Sequence, residues 1–304
     1  MCKARKDRRR DQRSKNVHAS RVASGAAFLA AALLAAAVAV GATPTRSQER
    51  LNVAFHSSAL DATMHARVVL PAGYAGSTRR YPVVYFLHGL PASSISYAQL
   101  DWVADAMADT GRPAILVAPQ GARDNDTDPE YLDWGTGRNW ETYVARDVVR
   151  YVDSRFRTIA TRSGRAIVGL SAGGYGAAAI GFHHLDRFAA VESWSGYFVP
   201  TDPSGLVKLD RGSLSANNRA SLHAIVGFDA AAIRAQHPFF AFYVGRGDTR
   251  FRSENVQLNR ELNTSHIAHV FELYSGAHTT ALWQRHAVGW LGLALKHLAQ
   301  ASTS

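Results

Sequence analysis

The chain has 304 residues, 47% of them hydrophobic and 19% charged, with 24 Gly and 10 Pro. That is the composition of a chain able to bury a full core, which argues against disorder, and no repeat at solenoid or propeller spacing is visible. The formal charge of +10 does not mark a nucleic-acid binder: residues 1–21 hold nine Lys/Arg and two Asp, a net +7, so only +3 remains for everything that follows.

The basic start leads into Gly25 to Ala42, an apolar and uncharged run ending in small residues at Val40-Gly41-Ala42. A basic stretch, an apolar core and a small-residue end are the pattern of an export signal; 18 apolar residues also suffice for an uncleaved N-terminal anchor. Residues 1–42 are therefore read as an export signal or N-terminal anchor. Both place the domain over 43–304 outside the cytoplasm, secreted or in the cell envelope, and any membrane contact would run through this segment alone. The sole cysteine, Cys2, lies in the basic stretch, so the remainder has no disulfide, thiol nucleophile or cysteine metal site to offer.

Past Ala42, short apolar runs alternate with helical patterns. Strands are predicted over Leu51–Phe55, Ala66–Leu70, Val83–Leu87, Ala114–Ala118, Ala166–Leu170, Ala189–Trp194, Phe239–Val244 and His269–Leu273. The later runs are continuously apolar, as strands covered on both faces of a parallel sheet must be. A helix is predicted from an Asn139 cap to Phe156, with Trp140, Val144, Val148 and Val152 on one face. A second covers about Ala281 to Ala299, with Trp283, Ala287, Leu291, Ala294 and Leu298 on one side. Such an alternation predicts an α/β fold, a mostly parallel eight-stranded sheet with helices on both faces. Two stretches break it: polar, acidic Gly121–Arg138, and Pro200–Pro238 with a short helical piece at Asp229–Gln236. Long irregular segments of this kind are expected to border a cleft, the second as a loop or lid insertion over about 200–238.

Gly169-Leu170-Ser171-Ala172-Gly173 matches G-x-S-x-G, and it sits where that pattern has physical meaning. A buried strand feeds in and a small-residue helix leads out, so Ser171 falls on a sharp strand-to-helix turn whose glycines permit close packing. A serine hydroxyl needs a base, and the base an orienting acid. In the chain order Ser, acid, His, the strand Phe239–Val244 is followed by Asp248 and the strand His269–Leu273 by His278, both just past strand C-termini. Glu254, about two helical turns beyond, is the rival acid. Oxyanion donors are expected from the backbone N–H of Ala172 and from Leu90 in the loop His88-Gly89-Leu90-Pro91, since Pro91 has no N–H.

The segments FLHGL (86–90), NWETYVARDVVRYVDSRF (139–156), IVGLSAGGYGAAA (167–179), SWSGYF (193–198) and the GAH…W ending resemble the esterase D / antigen 85 group of α/β-hydrolases over about residues 50–300. The resemblance implies an α/β-hydrolase fold, a Ser–acid–His triad on Ser171, Asp248 and His278, an acyl-enzyme intermediate and no cofactor. It departs from the mycolyltransferases of that group in the oxyanion loop, where His88 and Pro91 replace their sugar-holding Asp and Arg, and at Thr280, where they have Trp; Trp283 is kept. The expected function is that of a serine carboxylesterase acting on a small-molecule or lipid ester, with acyl transfer to cell-envelope lipids or sugars as the alternative and a non-catalytic binding module behind both. Asp124, Asp126 and Asp128 alternate as at the start of a calcium loop, but Pro129 and Gly135 occupy the positions that need Gly and Glu, so a solvated acidic loop is expected and no metal. Trp134, Trp140, Trp194 and Tyr197 are candidates for the cleft or the core.

Overall fold

The computed structural model describes residues 47–202 and 207–303; the expected leader over 1–42 lies outside them. The chain runs β1 (Glu49–Ser57), β2 (Ala62–Leu70), β3 (Val83–Leu87), α1 (Asp101–Asp109), β4 (Ile115–Pro119), α2 (Trp140–Thr142), a π-turn (Tyr143–Val148) and α3 (Val149–Arg155). It continues through β5 (Arg165–Leu170), α4 (Ala172–His183), β6 (Ala190–Trp194), α5 (Leu214–Ala220), α6 (Leu222–Gln236), β7 (Phe239–Gly245), α7 (Arg252–Thr264), β8 (Val270–Tyr274) and α8 (Thr280–Lys296).

The eight strands form one sheet in the order β1-β2-β4-β3-β5-β6-β7-β8. β2 pairs antiparallel with β1 and β4, and every later pairing is parallel. Alternate residues of the central strands feed opposite cores. Val83, Tyr85 and Leu87 of β3 join one core with the α2–α3 segment, α4 and α6. Val84 and Phe86 join the other with α1 and α8. This is the three-layer α/β-hydrolase arrangement, and it explains why β3 and β4 read as unbroken apolar runs. No helix of the described residues is long and apolar enough to cross a membrane.

The predicted strands are all present, with bounds shifted by a few residues at most. The predicted helix over 139–156 exists with Trp140, Val144, Val148 and Val152 fully buried, but it is interrupted by the π-turn. There Asp147 is held by Ser57 Oγ at 2.8 Å and the Ala59 N–H at 2.9 Å. The 200–238 stretch departs from the expected irregular loop: α5 and α6 fill most of it, each capped by a serine, Ser213 and Ser221. Leu222, Ile225, Val226 and Ile233 supply the buried face of α6. α1 and α7 are further helices that the sequence pattern did not announce.

Candidate active site

β5 ends at Leu170, and Ser171 turns the chain into α4 with φ 55° and ψ −122°. A non-glycine residue in that backbone region carries about 1–3 kcal/mol of strain, so its surroundings must enforce it. They do so by leaving no room. A Cβ on Gly169 would stand 2.1 Å from the Gly173 carbonyl oxygen, and one on Gly173 would stand 2.1 Å from the Leu87 carbonyl oxygen. The Ser171 N–H donates to the Trp194 carbonyl at 2.9 Å, tying the turn to β6. α4 is buried on all sides from Ala172 to Phe182, which is why it is built from small residues.

His278 and Asp248 reach this turn from two neighbouring strand ends. The turn after β7 packs on the turn after β8: Gly247 N–H donates to the Gly276 carbonyl at 2.7 Å, and a Cβ on Gly245 would lie 2.5 Å from the same oxygen. The result is a hydrogen-bonded series. Asp248 Oδ2 lies 2.8 Å from His278 Nδ1, and His278 Nε2 lies 2.9 Å from Ser171 Oγ. A carboxylate only accepts, so Nδ1 carries the proton and Nε2 faces the hydroxyl with its lone pair. Burial works to raise the Asp248 carboxyl, but the bond from His278 and the N–H groups of Phe251 and Arg250 outweigh it and hold it below the ordinary carboxylate value. Phe251 and Trp283 each meet the His278 ring edge-on at 5.2 Å, and Trp283 Nε1–H donates to Ser195 Oγ at 3.0 Å. The rival acid Glu254 is turned away, with Oε1 3.4 Å from His223 Nε2.

The loop 88–91 lies against the serine turn. A Cβ on Gly89 would come within 2.9 Å of Ser171 Cβ, which places Leu90 on the wall of the same cavity. His88 anchors this loop rather than facing the cavity. Its Nε2 accepts from the Gly121 N–H at 3.0 Å, its Nδ1 donates to the Gly89 carbonyl at 3.1 Å, and its own carbonyl accepts from Tyr131 Oη at 2.8 Å. Burial pushes the imidazole down to about 4 against the opposing pull of the Gly89 carbonyl, so it is neutral at pH 7. The Ala172 N–H belongs to the first turn of α4, where a helix leaves its amides without intrahelical acceptors.

The cavity over Ser171 has a volume of about 760 Å³. Thr127 and Asp128 line it from the 121–138 stretch, and Thr201 and Asp202 from the start of the 200–238 stretch, so both irregular segments do border the cleft. Of the aromatic candidates, Tyr197 reaches the cavity; Trp140 and Trp194 are fully buried in the two cores, and Trp134 packs at the edge of a third cluster. Tyr197 donates to the buried Glu130 at 2.6 Å. Of the alternating aspartates, Asp126 is paired with Arg138 at 2.7 Å and Asp124 accepts from the Ser94 N–H. Sequence reasoning did not single out Asp128, Thr201 and Arg250 as lining this cavity, nor Glu130 behind Tyr197. Glu130 and Tyr131 both adopt positive φ, 52° and 51°, and no glycine there signals the turn that directs them inward.

The family model described as "Putative esterase" matches residues 57–289. The Esterase Rv1288 of Mycobacterium tuberculosis is 32% identical over 142 residues, covering 47% of this chain and 31% of that protein. The MPT51 antigen of Mycobacterium leprae is 29% identical over 171 residues, covering 47% of this chain and 55% of that one. The chain thus spans about a third and about half of the length of these curated relatives. A ferulic acid esterase structure superposes with a TM-score of 0.68 at 23% identity, covering 83% of this chain and 99% of the other, a likeness of fold.

Proposed function

The chain belongs to the esterase family whose model spans residues 57–289, and from that membership we propose that it is an exported serine carboxylesterase. The observation that carries the reading is the Asp248–His278–Ser171 series, with contacts of 2.8 and 2.9 Å at the C-terminal ends of β7, β8 and β5. His278 Nε2 takes the Ser171 proton as Oγ attacks the ester carbonyl. Asp248 keeps the imidazole in the required tautomer and stabilises its protonated form. The N–H groups of Leu90 and Ala172 hold the oxyanion, and the proton on Nε2 passes to the departing alkoxide. Water then attacks the acyl carbonyl and gives its proton to Nε2, and that proton passes to Ser171 Oγ as the Oγ–acyl bond breaks and the acid leaves.

The domain over 43–304 carries this chemistry, and residues 1–42 act as its export signal or membrane anchor. The relative named an esterase supports an ester as substrate; the substrate we propose is a small-molecule or lipid ester, met in a secreted or cell-envelope location. His88 favours hydrolysis over sugar-directed transfer, because both of its ring nitrogens are engaged within the fold. A non-catalytic binding module has no need of a strained serine facing an imidazole at 2.9 Å.

In the decisive experiment, Ser171→Ala abolishes both labelling by a fluorophosphonate probe and turnover of p-nitrophenyl acetate. Survival of both removes Ser171 from the mechanism. Product analysis with and without an acceptor alcohol separates hydrolysis from transfer.

A further inference from the structure

A second cavity, of about 590 Å³, opens at the other end of the sheet from Ser171. It lies where β7 and β8 begin, at Phe239 and Val270, and where α6 and α8 end. β7 is seven residues long, so about 20 Å of strand separates this cavity from the turn that carries Asp248. Its lining is of two kinds. Ile233, Phe239, Phe240, Ile267 and Leu293 are buried or half-buried and make an apolar floor. Arg234, His237, His266 and His297 are all exposed and make a polar rim. The His297 ring stacks on Phe239 at 3.8 Å and joins rim to floor. No carboxylate is among the residues that line the cavity.

The rim groups are accessible and largely unengaged. Arg234 Nη1 donates to the Ser265 carbonyl at 2.6 Å, and among the described residues its guanidinium has no carboxylate partner. Among the same residues the side chains of His237, His266 and His297 form no hydrogen bond. A fourth histidine, His269, is held within the fold, its nitrogens 2.8 Å from the Ile267 carbonyl and 2.9 Å from Asn259 Oδ1. The field at the rim is positive: besides burial, the group acting on His297 is the ammonium of Lys296, and together they hold its imidazole below the ordinary histidine value. Helix C-termini attract cations, but here that attraction is met inside the fold. Arg162 bonds the Gln236 carbonyl at the end of α6, and one arm of Arg234 bonds Ser265 at the end of α7. Capping explains neither the accessible phenyl floor nor a rim free of acids.

We infer that this cavity is a binding site for a hydrophobic carboxylate, an acid with a medium-length alkyl or an aryl body. The body covers Phe239, Phe240 and Leu293 and takes their apolar surface out of water. The carboxylate accepts from the Arg234 guanidinium, whose planar fork suits two oxygens, and from an imidazole N–H of the rim. The inference stands apart from the serine-esterase reading, since the cavity holds its ligand whether or not Ser171 is a nucleophile. Under that reading, the ligand is of the same class as the acid that hydrolysis releases.

Calorimetric titration of the full-length protein tests it, with sodium octanoate and 3-phenylpropanoate as the charged probes and octanamide as the uncharged one. Saturable heat with a Kd of about 0.1–1 mM is expected from at least one carboxylate, given the size of these ligands. Octanamide is expected to bind about tenfold more weakly than octanoate, and Arg234→Gln to weaken the carboxylate by a similar factor. Leu293→Trp, which fills the cavity, is expected to remove the heat, and a thermal melt checks that each variant folds. If Leu293→Trp does not fold, Arg234→Gln and octanamide decide. Absence of saturable heat from both carboxylates overturns the site. Octanamide binding as tightly as octanoate overturns it too, because the cavity would then respond to apolar surface alone. Heat left unchanged by both variants places the acid elsewhere in the protein and overturns it. A dimer in sedimentation that Leu293→Trp splits, with no heat from either acid, makes this face an interface between copies and overturns it as well. Carboxylate binding that Arg234→Gln weakens, in a protein that cleaves no ester, leaves the site standing and removes the esterase reading instead.

Discussion

Asp248 and Glu130 are both buried, at 1% exposure each, and both belong to the surroundings of one cavity, yet burial has opposite outcomes for them. Asp248 receives a proton-bearing imidazole nitrogen and two backbone N–H groups, and its carboxyl is held down. Burial and the field of Asp128 and Asp202 drive the Glu130 carboxyl up to about 8, against the bonds from the Tyr197 phenol and the Thr201 backbone. The difference lies in the donors supplied to each. Desolvation penalises both charges, and only Asp248, with an imidazole and two amides and no like charge acting on it, is compensated in full. One carboxyl is therefore held as an anion beside a histidine, while the other is held as an acid within the fold.

The contrast can be broken hardest on the triad side. Ser171→Ala and His278→Ala are each expected to lower kcat by about a millionfold, with the double variant no worse than either single one, because the three side chains act as a unit. Steady-state kinetics on p-nitrophenyl acetate reads this directly, and additive losses would show that they do not. Asp248→Asn is expected to cost about 10⁴ in kcat, since the amide offers Nδ1 the wrong partner. An activity close to that of the unaltered enzyme would transfer the role of acid elsewhere.

Below these stands a change in the frame. Gly173→Ala drives a Cβ to 2.1 Å from the Leu87 carbonyl oxygen, a backbone atom of a central strand. A stability loss of about 1–3 kcal/mol or more is expected, seen as a Tm lowered by several degrees in calorimetry. An unchanged Tm would mean that the elbow is looser than its geometry indicates.

Carboxyls that burial holds as acids give a smaller and pH-dependent effect. Glu130 and the fully buried Glu192 are both raised from 4.5 to about 8, mainly by burial. Between those values the folded state holds protons that the unfolded state has lost. Their contribution to stability is therefore full below about pH 4.5 and declines as pH rises through 8. Glu192→Gln is expected to flatten that decline in a series of Tm measurements from pH 5 to 9; an unaltered slope would mean that Glu192 ionises in the fold. The least effect belongs to Glu254→Gln, expected to leave kcat within about twofold, because Glu254 serves His223 and not His278. A large loss would reinstate it as the acid.

How much of this was legible in the chain follows from what each part depends on. β3, β5 and β7 are buried on both faces, so their apolar runs give them away, and the serine turn carries its glycines in sequence. α7 escaped because its buried face is Asn255, Leu258 and Leu262, and the first of these is polar; it is buried to bond the Gly196 and Phe251 carbonyls. In α5 and α6, Asn217-Asn218 and Gly227 are poor helix formers, and tertiary packing overrode that local preference. That the 121–138 and 200–238 stretches border the cleft was legible, but which of their residues line it was not. Asp128 and Thr201 are far apart in the chain, and two consecutive positive-φ residues without glycine direct the segment between Pro129 and Leu132.

The His88 anchor has a consequence for the energetics of each catalytic cycle. The loop bearing the Leu90 N–H is pinned through Gly121 and Tyr131 before any ester arrives. In the proposed mechanism its ordering is completed once, when the chain folds, and is not repeated at every turnover. Loosening a pin, as in Tyr131→Phe, would return that ordering to the reaction coordinate, where it appears as a more negative activation entropy in the temperature dependence of kcat.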